Sequence, residues 1–103
     1  MTLTRGNIYW VDLGYGEKPF LVVSNNARNR ALKSAIVARI TTSEKPPLES
    51  IVKLSSYDPL VGRVLCDDLE TIDEDEVLRH GGALSLHTIQ LVDRGLRAAL
   101  ALR

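Results

Sequence analysis

Residues 5–28 read RGNIYWVDLGYGEKPFLVVSNNAR, and this stretch carries the clearest signal for the fold of the 103-residue chain. It contains two runs rich in strand-forming residues, Ile8–Leu13 and Phe20–Ser24. The glycine-rich loop Gly14–Gly16 between them permits the positive backbone angles that a tight turn requires. The stretch therefore predicts a β-hairpin whose loop delivers Lys18 to the start of the second strand, where a cation can meet a polyanion.

The rest of the chain predicts further short strands. They are expected at about Ala35–Thr42, at Ser50–Leu54, at Gly62–Cys66 and, in a short form, at Leu69–Ile72. Loops rich in proline separate some of these runs, since proline cannot donate to a strand ladder. Five or six short strands are therefore expected in total.

Three segments predict helices. They are Asn26–Lys33, Asp73–Arg79, which has acidic residues in its first turn, and Leu86–Leu102, which follows Ser85 as N-cap. The last segment places an apolar residue at each of five helically spaced positions, namely Leu86, Ile89, Val92, Leu96 and Leu100. Together with the strands, this pattern predicts a mainly β, α+β fold: a small, strongly bent antiparallel sheet or partly open barrel with a C-terminal helix.

Composition limits the class of protein. The 13 basic and 13 acidic side chains give a net charge of zero, so any RNA site must be a local patch. The one cysteine, Cys66, allows no disulfide framework and no multi-cysteine metal site, and it is expected to be a small buried residue. No apolar run approaches the ~18 residues of a membrane span. We expect one domain over residues 1–103, located in the cytoplasm, without a metal or another cofactor.

Four further segments that follow the hairpin carry recognisable motifs. They are IVARITT at 36–42, VLCDDLETID at 64–73, GALSL at 82–86 and the closing amphipathic helix. With the hairpin, they make the chain similar to the MazF/PemK family of toxin endoribonucleases over nearly its whole length. The resemblance implies an SH3-like barrel, a homodimer and a cognate antitoxin. It also implies metal-independent cleavage of single-stranded RNA, in mRNA or in structured RNA loops, through attack by the ribose 2′-hydroxyl.

The resemblance implies three catalytic residues: Lys18, Thr41 and Asp67. Lys18 lies where the family usually has the arginine of an Arg-Pro pair, and a lysine is a mobile point charge rather than a planar fork. Thr41 matches the family's catalytic threonine, and Asp67 matches the acidic residue of its L-C-[DE] segment. By residue type alone, these could equally be a solvated loop lysine, a strand-forming threonine and a turn aspartate.

Six residues are candidates for RNA binding: Arg39, Asn25, Arg28, Arg30, Lys33 and Arg63. Arg39 is unusual in an apolar strand and either faces solvent or serves a site. The residues between 25 and 33 form the densest basic cluster, which is either an RNA surface or a solvated helix face. Lys18, Arg39, Thr41 and Asp67 are expected to converge near the mouth of the Gly14–Lys18 loop. Glu70 replaces an arginine that is usual in the family.

Two other functions remain open at this stage. A toxin of the same fold could bind a protein such as DNA gyrase without cleaving RNA, as CcdB does. A non-toxic SH3-like binding module would agree with the zero net charge. His80 and His87 match no catalytic position of the family and are expected to be structural or surface residues.

Overall fold

The computed structural model describes residues 2–103, which form one six-stranded antiparallel sheet and two α-helices. The strands are β1 (Asn7–Asp12), β2 (Glu17–Val22), β3 (Ser34–Thr41), β4 (Ile51–Lys53), β5 (Arg63–Asp73) and β6 (Val77–Ala83). The helices are α1 (Asn26–Leu32) and α2 (Leu86–Leu100). The strand order is β4-β5-β3-β2-β1-β6. The predicted α+β architecture with a C-terminal helix is confirmed.

The predicted β1–β2 hairpin is confirmed, with Ile8 paired to Leu21. The Asp12 carboxylate accepts hydrogen bonds from the backbone N–H groups of Gly14 and Gly16 at 2.8 and 3.1 Å. Both glycines have positive φ, 109° and 91°, which explains why this loop needs them. β2 begins at Glu17 rather than at Phe20, so Lys18 lies within the strand.

The two strands predicted at Gly62–Cys66 and Leu69–Ile72 are one continuous strand, β5. It pairs with β3 in two registers: Ala38 faces Leu69, whereas Arg39 faces Leu65. The shift is an irregularity of the β-bulge kind, in which extra residues on one strand oppose fewer on the other. The bulge contains Asp67 and Asp68, and it changes the direction of the side chains that follow.

The predicted helix at Asp73–Arg79 is wrong. Only a three-residue 3₁₀ turn, Glu74–Glu76, forms there, and β6 follows directly. The Glu76 carboxylate accepts a hydrogen bond from the Asp73 backbone N–H at 2.8 Å, which confines the acidic run to a tight turn. β6 then pairs along β1, with Arg79 opposite Trp10. Tertiary strand pairing therefore overrides the local helical signal.

Apolar side chains fill both faces of the sheet. One cluster, which includes Ile8, Leu21, Val64 and Cys66, lies on the face that α2 covers through Val92. The other, which includes Tyr9, Phe20, Val37 and Ile72, lies on the opposite face. Of the two cavities described below, one is lined by Phe20 of the second cluster. The other is lined by Ile40 of the first cluster and by Leu60, which packs against it, at the edge of the sheet.

The C-terminal helix begins as predicted, with the Ser85 hydroxyl accepting a hydrogen bond from the Thr88 backbone N–H at 3.3 Å. It ends at Leu100 rather than at Leu102. The predicted apolar stripe is too long, because Leu86 is 72% exposed and Leu100 is 50% exposed. Val92 belongs to the core cluster, and Ile89, Leu91, Leu96 and Ala99 pack against it.

A glycine allows α2 to approach the sheet closely. A Cβ atom added at Gly95 would lie 2.7 Å from Cys66 Sγ and 3.0 Å from the Glu49 carbonyl oxygen. Cys66 is fully buried, as expected for a small core residue. Burial, followed by the neighbouring charge of Asp67, raises the pKa of its thiol to about 11. The thiol is therefore protonated at neutral pH and acts as packing.

Candidate functional site

Two adjoining cavities open at the β1–β2 loop and at the neighbouring ends of β2 and β3. The loop cavity, of about 620 Å³, is lined by Leu13, Tyr15, Gly16, Lys18, Phe20, Arg39, Asp68 and Glu70. The strand-end cavity, of about 420 Å³, is lined by Trp10, Glu17, Lys18, Pro19, Arg39, Ile40, Thr41, Thr42, Ser43, Leu60 and Val61. Lys18 and Arg39 line both cavities, which therefore form one groove with two cations at its centre.

Strand register explains why Lys18, Arg39 and Thr41 share this groove. Phe20 of β2 pairs with Arg39 of β3 in an antiparallel ladder. Lys18 lies two residues before Phe20 and Thr41 two residues after Arg39, so all four side chains belong to one face. The predicted convergence is confirmed for Lys18, Arg39 and Thr41. Both cations are exposed to solvent, with the Arg39 side chain 48% accessible.

The Thr41 hydroxyl is arranged to donate a hydrogen bond. Its oxygen accepts a hydrogen bond from the Ser43 backbone N–H at 3.1 Å. Its own proton has no acceptor among residues 2–103. A ligand oxygen in the strand-end cavity could therefore accept that proton without breaking an existing bond.

Asp67 does not converge with these residues, contrary to the prediction. It is exposed and lines neither cavity, whereas its neighbour Asp68 lines the loop cavity. An Asp68 carboxylate oxygen lies 3.8 Å from a terminal nitrogen of Arg39. The cause is the bulge in β5 opposite Ala38 and Arg39: the sequence predicted that a strand ends at Cys66, whereas β5 continues through Asp67 and Asp68.

The predicted basic cluster lies at the other end of β3. Arg28 donates hydrogen bonds to the Ser34 carbonyl and hydroxyl at 3.0 and 3.2 Å. Asn25 caps α1, accepting from the backbone N–H groups of Ala27 and Arg28. Thr41 ends the eight-residue strand that begins at Ser34, a length of roughly 25 Å. Asn25 and Arg28 therefore make hydrogen bonds within the protein, far from the groove.

Two other cations of that cluster, Arg30 and Lys33, are exposed and line neither cavity of the groove. Lys33 ends α1 in the left-handed conformation, with φ 53°. Arg63, in contrast, lies beside the groove because it pairs with Thr41 across β3 and β5. A terminal nitrogen of Arg63 is 3.3 Å from a carboxylate oxygen of Glu44.

One arrangement at the groove's edge was not predictable from the sequence. The Arg79 guanidinium lies 4.4 Å from the centroid of the Trp10 ring, and its Nε donates to Glu17 at 2.6 Å. Trp10 and Glu17 both line the strand-end cavity, so Arg79 braces this wall. The arrangement depends on β6, whose first residues, up to Arg79, belong to the helix that the sequence predicted. Tyr15, which lines the loop cavity, was also not among the site residues predicted from the sequence. Its position between two glycines could have indicated an exposed aromatic side chain.

Asp58 fastens the loop that carries Leu60 to the start of α2. Its carboxylate accepts hydrogen bonds from the Ser55 backbone at 2.7 Å, from the Ser85 backbone at 2.8 Å and from the Thr88 hydroxyl at 2.7 Å. Burial opposes ionisation of this group, but these hydrogen bonds outweigh it and lower its pKa to about 2. The carboxylate is charged at neutral pH and holds one wall of the strand-end cavity.

Among residues 2–103, no group of three or more histidine, cysteine, aspartate or glutamate side chains is placed to hold a metal ion. No helix in this range has the length and apolar character needed to cross a membrane. His80 is exposed and packs against Tyr9, with 5.2 Å between the ring centroids.

The sequence model of the PemK-like, MazF-like toxins of type II toxin–antitoxin systems matches residues 4–100. The chain belongs to this family. It is similar to endoribonuclease MazF4 of Mycobacterium tuberculosis, with 40% identity over 98 residues that cover 95% of this chain and 92% of that protein. It is also similar to endoribonuclease EndoA of Bacillus subtilis, with 30% identity over 99% of this chain and 97% of that protein.

Solved structures of the family have the same fold. An endoribonuclease in complex with its cognate antitoxin, from a mycobacterial species, superposes with a TM-score of 0.92 at 39% identity, covering 96% of this chain and 95% of that one. A MazE–MazF structure from Deinococcus radiodurans gives a TM-score of 0.85 at 20% identity, covering 100% and 99%, and this likeness concerns the fold alone. The fold expected of a MazF/PemK-like chain is therefore confirmed.

Proposed function

We propose that this MazF-like protein is a toxin endoribonuclease that cleaves single-stranded RNA in the groove between the β1–β2 loop and the end of β3. One observation carries the proposal: Lys18, Arg39 and Thr41 lie on one face of paired strands, where two cavities meet. Two cations and a free hydroxyl donor suit a phosphodiester. The names of the relatives, endoribonucleases MazF4 and EndoA, support the same activity.

The proposed chemistry is attack of the ribose 2′-hydroxyl on the adjacent phosphorus, which releases the 5′ oxygen of the next nucleotide. The developing negative charge on the phosphate oxygens is stabilised by Lys18 and Arg39, and Thr41 donates a hydrogen bond to one of them. These groups act without a metal ion. Lys18 is the candidate for protonating the leaving oxygen, since an ammonium can release a proton and a guanidinium does not near neutral pH.

The proton of the 2′-hydroxyl needs an acceptor. Asp67, which the resemblance implies, lies outside the groove, and we assign this role to Asp68 instead. Asp68 lines the loop cavity beside Arg39, within reach of a nucleotide that contacts both cations. Because of the bulge in β5, Asp68 rather than Asp67 lines the groove.

The proposal includes partners and location. The mycobacterial structure contains an endoribonuclease with its cognate antitoxin, and we propose an antitoxin for this chain too. An acidic, disordered tail would suit the cations of the groove. We also propose that residues 1–103 are one toxin domain, that two copies form a symmetric dimer, and that the protein acts in the cytoplasm, where mRNA is translated.

The test is incubation of the purified protein with total RNA, with and without EDTA, followed by mapping of the fragment ends. We expect discrete fragments that EDTA does not abolish and that end in a 2′,3′-cyclic phosphate. An Arg94→Ala variant, which removes an exposed cation on α2 and away from the groove, serves as control and should cleave normally. Growth arrest on expression with intact RNA would contradict the proposal and favour a toxin that binds a protein.

A further inference from the structure

The loop cavity contains as many acidic as basic side chains. Lys18 and Arg39 face Asp68 and Glu70, so the formal charge of its lining is zero. A site that bound only phosphate would be expected to be cationic. The two carboxylates therefore indicate that something other than a phosphate enters this cavity.

Glu70 is available to a ligand. Asp68 is 3.8 Å from Arg39, whereas the exposed Glu70 side chain has no ion pair or hydrogen bond to any of residues 2–103. Glu70 lies on β5 opposite Val37, on the face that carries Arg39 and Phe20. It thus presents a hydrogen-bond acceptor to the cavity from a paired strand.

The cavity also has aromatic walls and a suitable size. Tyr15 is 87% exposed at the tip of the β1–β2 loop, and the ring of Phe20 contributes to the lining from β2. Proteins that recognise single-stranded RNA stack unpaired bases on aromatic side chains and read their edges by hydrogen bonds. A volume of about 620 Å³ lies within the range of small-ligand sites, roughly 300–1,000 Å³.

The ionised carboxylate selects among the four bases because it only accepts hydrogen bonds. Guanine presents two adjacent donors, N1–H and N2–H, which match the two oxygens of one carboxylate. Adenine and cytosine place an acceptor nitrogen beside their amino group, and uracil flanks its single N–H with two carbonyl oxygens. In those three bases an acceptor would face the carboxylate, and this arrangement is repulsive.

We propose that the loop cavity is a guanine pocket, in which the Glu70 carboxylate accepts hydrogen bonds from N1–H and N2–H while the base stacks on Tyr15. The phosphate that is cleaved then lies where the two cavities meet, between Lys18 and Arg39, so that the adjacent ribose 2′-hydroxyl can reach Asp68. This inference rests on the proposed function, because it identifies the nucleotide that the RNA groove prefers. Glu70 stands where arginine is usual in the family, so the preference belongs to this chain's own side chain.

The test begins with cleavage of a random-sequence RNA pool and sequencing of the cut ends. We expect guanine at one fixed position relative to the cut, favoured by about 5- to 150-fold over the other bases, as for a bidentate base contact. Inosine at that position lacks the N2 amino group, and we expect it to reduce cleavage roughly 2- to 13-fold, the value of one hydrogen bond. In Glu70→Gln, guanine and inosine should be cleaved nearly equally.

An Asp75→Asn variant is the matched control. It removes the same charge from an exposed residue that lies near Lys33, outside the groove. Both variants should bind RNA somewhat more tightly, because each loses a negative charge. Only Glu70→Gln should lose the discrimination between guanine and inosine, so this ratio separates base recognition from general electrostatics.

The outcomes distinguish this inference from the proposed function. Cleavage without a guanine preference, or a preference that survives in Glu70→Gln, would overturn the guanine pocket and leave the endoribonuclease intact. If no RNA is cleaved, the proposed function fails. Fluorescence anisotropy with 2′-deoxy oligonucleotides then tests the pocket alone. Weaker binding of inosine than of guanine oligonucleotides would support it, and equal binding would overturn it.

Discussion

Replacing Asp58 by asparagine should destabilise the protein in a pH-dependent way. The folded state lowers the pKa of this carboxyl from its ordinary value of 3.8 to about 2, and each pKa unit corresponds to about 1.36 kcal/mol. The difference gives about 2.5 kcal/mol as an upper value at pH 7. The side chain is only partly buried, and solvent screening reduces this figure. We therefore expect Asp58→Asn to lower the free energy of unfolding by about 1–2 kcal/mol.

The direction of this pH dependence follows from the lowered pKa of Asp58. A carboxyl whose pKa is lower in the folded state stabilises the protein above its unfolded pKa, and this contribution is lost as pH falls through the folded pKa. For values of 3.8 and about 2, roughly half of the contribution remains at pH 3. The stability difference between wild type and Asp58→Asn should therefore halve between pH 7 and pH 3.

Urea unfolding of both proteins at pH 7 and pH 3, followed by circular dichroism, measures this difference. Asp75→Asn is the control, because Asp75 is exposed and makes no hydrogen bond within residues 2–103. It should change stability by less than about 0.5 kcal/mol at either pH. A wild-type advantage over Asp58→Asn that is equal at both pH values would refute the charged hydrogen-bond network as its cause.

Substitutions at Lys18, Arg28 and Gly95 test the site and the packing. Lys18→Ala should reduce RNA cleavage by ~10²–10³-fold while binding of a 2′-deoxy substrate falls far less, and full activity of this variant would remove Lys18 from the mechanism. Lys18→Arg should retain cleavage if the site needs only a positive charge, and it should lose cleavage if Lys18 donates the proton. Because Arg28 donates a hydrogen bond to Ser34, Arg28→Ala should lower the free energy of unfolding in urea by about 1–3 kcal/mol and leave the salt dependence of RNA affinity unchanged. A weaker salt dependence in this variant would instead place the RNA along α1. Gly95→Ala should destabilise the protein by about 1–3 kcal/mol, and adding Cys66→Ala should recover part of this loss, because the new methyl group would meet Cys66. If Gly95→Ala is as stable as the wild type in urea unfolding, α2 can move away from the sheet.

The parts of the fold that local chemistry determines could be predicted from the sequence. The β1–β2 hairpin follows from two strand-forming runs around Gly14 and Gly16, and the start of α2 follows from the capping residue Ser85. β6 could not be predicted in this way. Its pairing with β1, for example Arg79 opposite Trp10, joins segments far apart in sequence, and the acidic residues before it resemble the first turn of a helix.

The candidate site, like the fold, could be predicted only where regular local structure determines it. Strand alternation places Arg39 and Thr41 on one face, and the hairpin brings Lys18 to them. The predicted convergence of Asp67 with the groove was wrong because the sequence predicted a strand end after Cys66, where β5 continues through a bulge. The contact of Arg28 with Ser34 could not be predicted, because a basic residue on a short helix has the same appearance in sequence whether it binds RNA or a backbone carbonyl.

The groove separates residues proposed for chemistry from residues proposed for recognition. Lys18, Arg39 and Thr41 lie on adjacent paired strands, whose ladder fixes their mutual positions. Tyr15 is on an exposed loop, and Glu70 follows the bulge in β5. Substitutions at these last two positions can therefore change which base is bound while the strand register of Lys18, Arg39 and Thr41 is kept. The fourth residue proposed for chemistry, Asp68, lies in the bulge itself. On this reasoning, a Glu70 variant with altered base preference should retain its rate on its newly preferred RNA, because the groups around the phosphate have not moved.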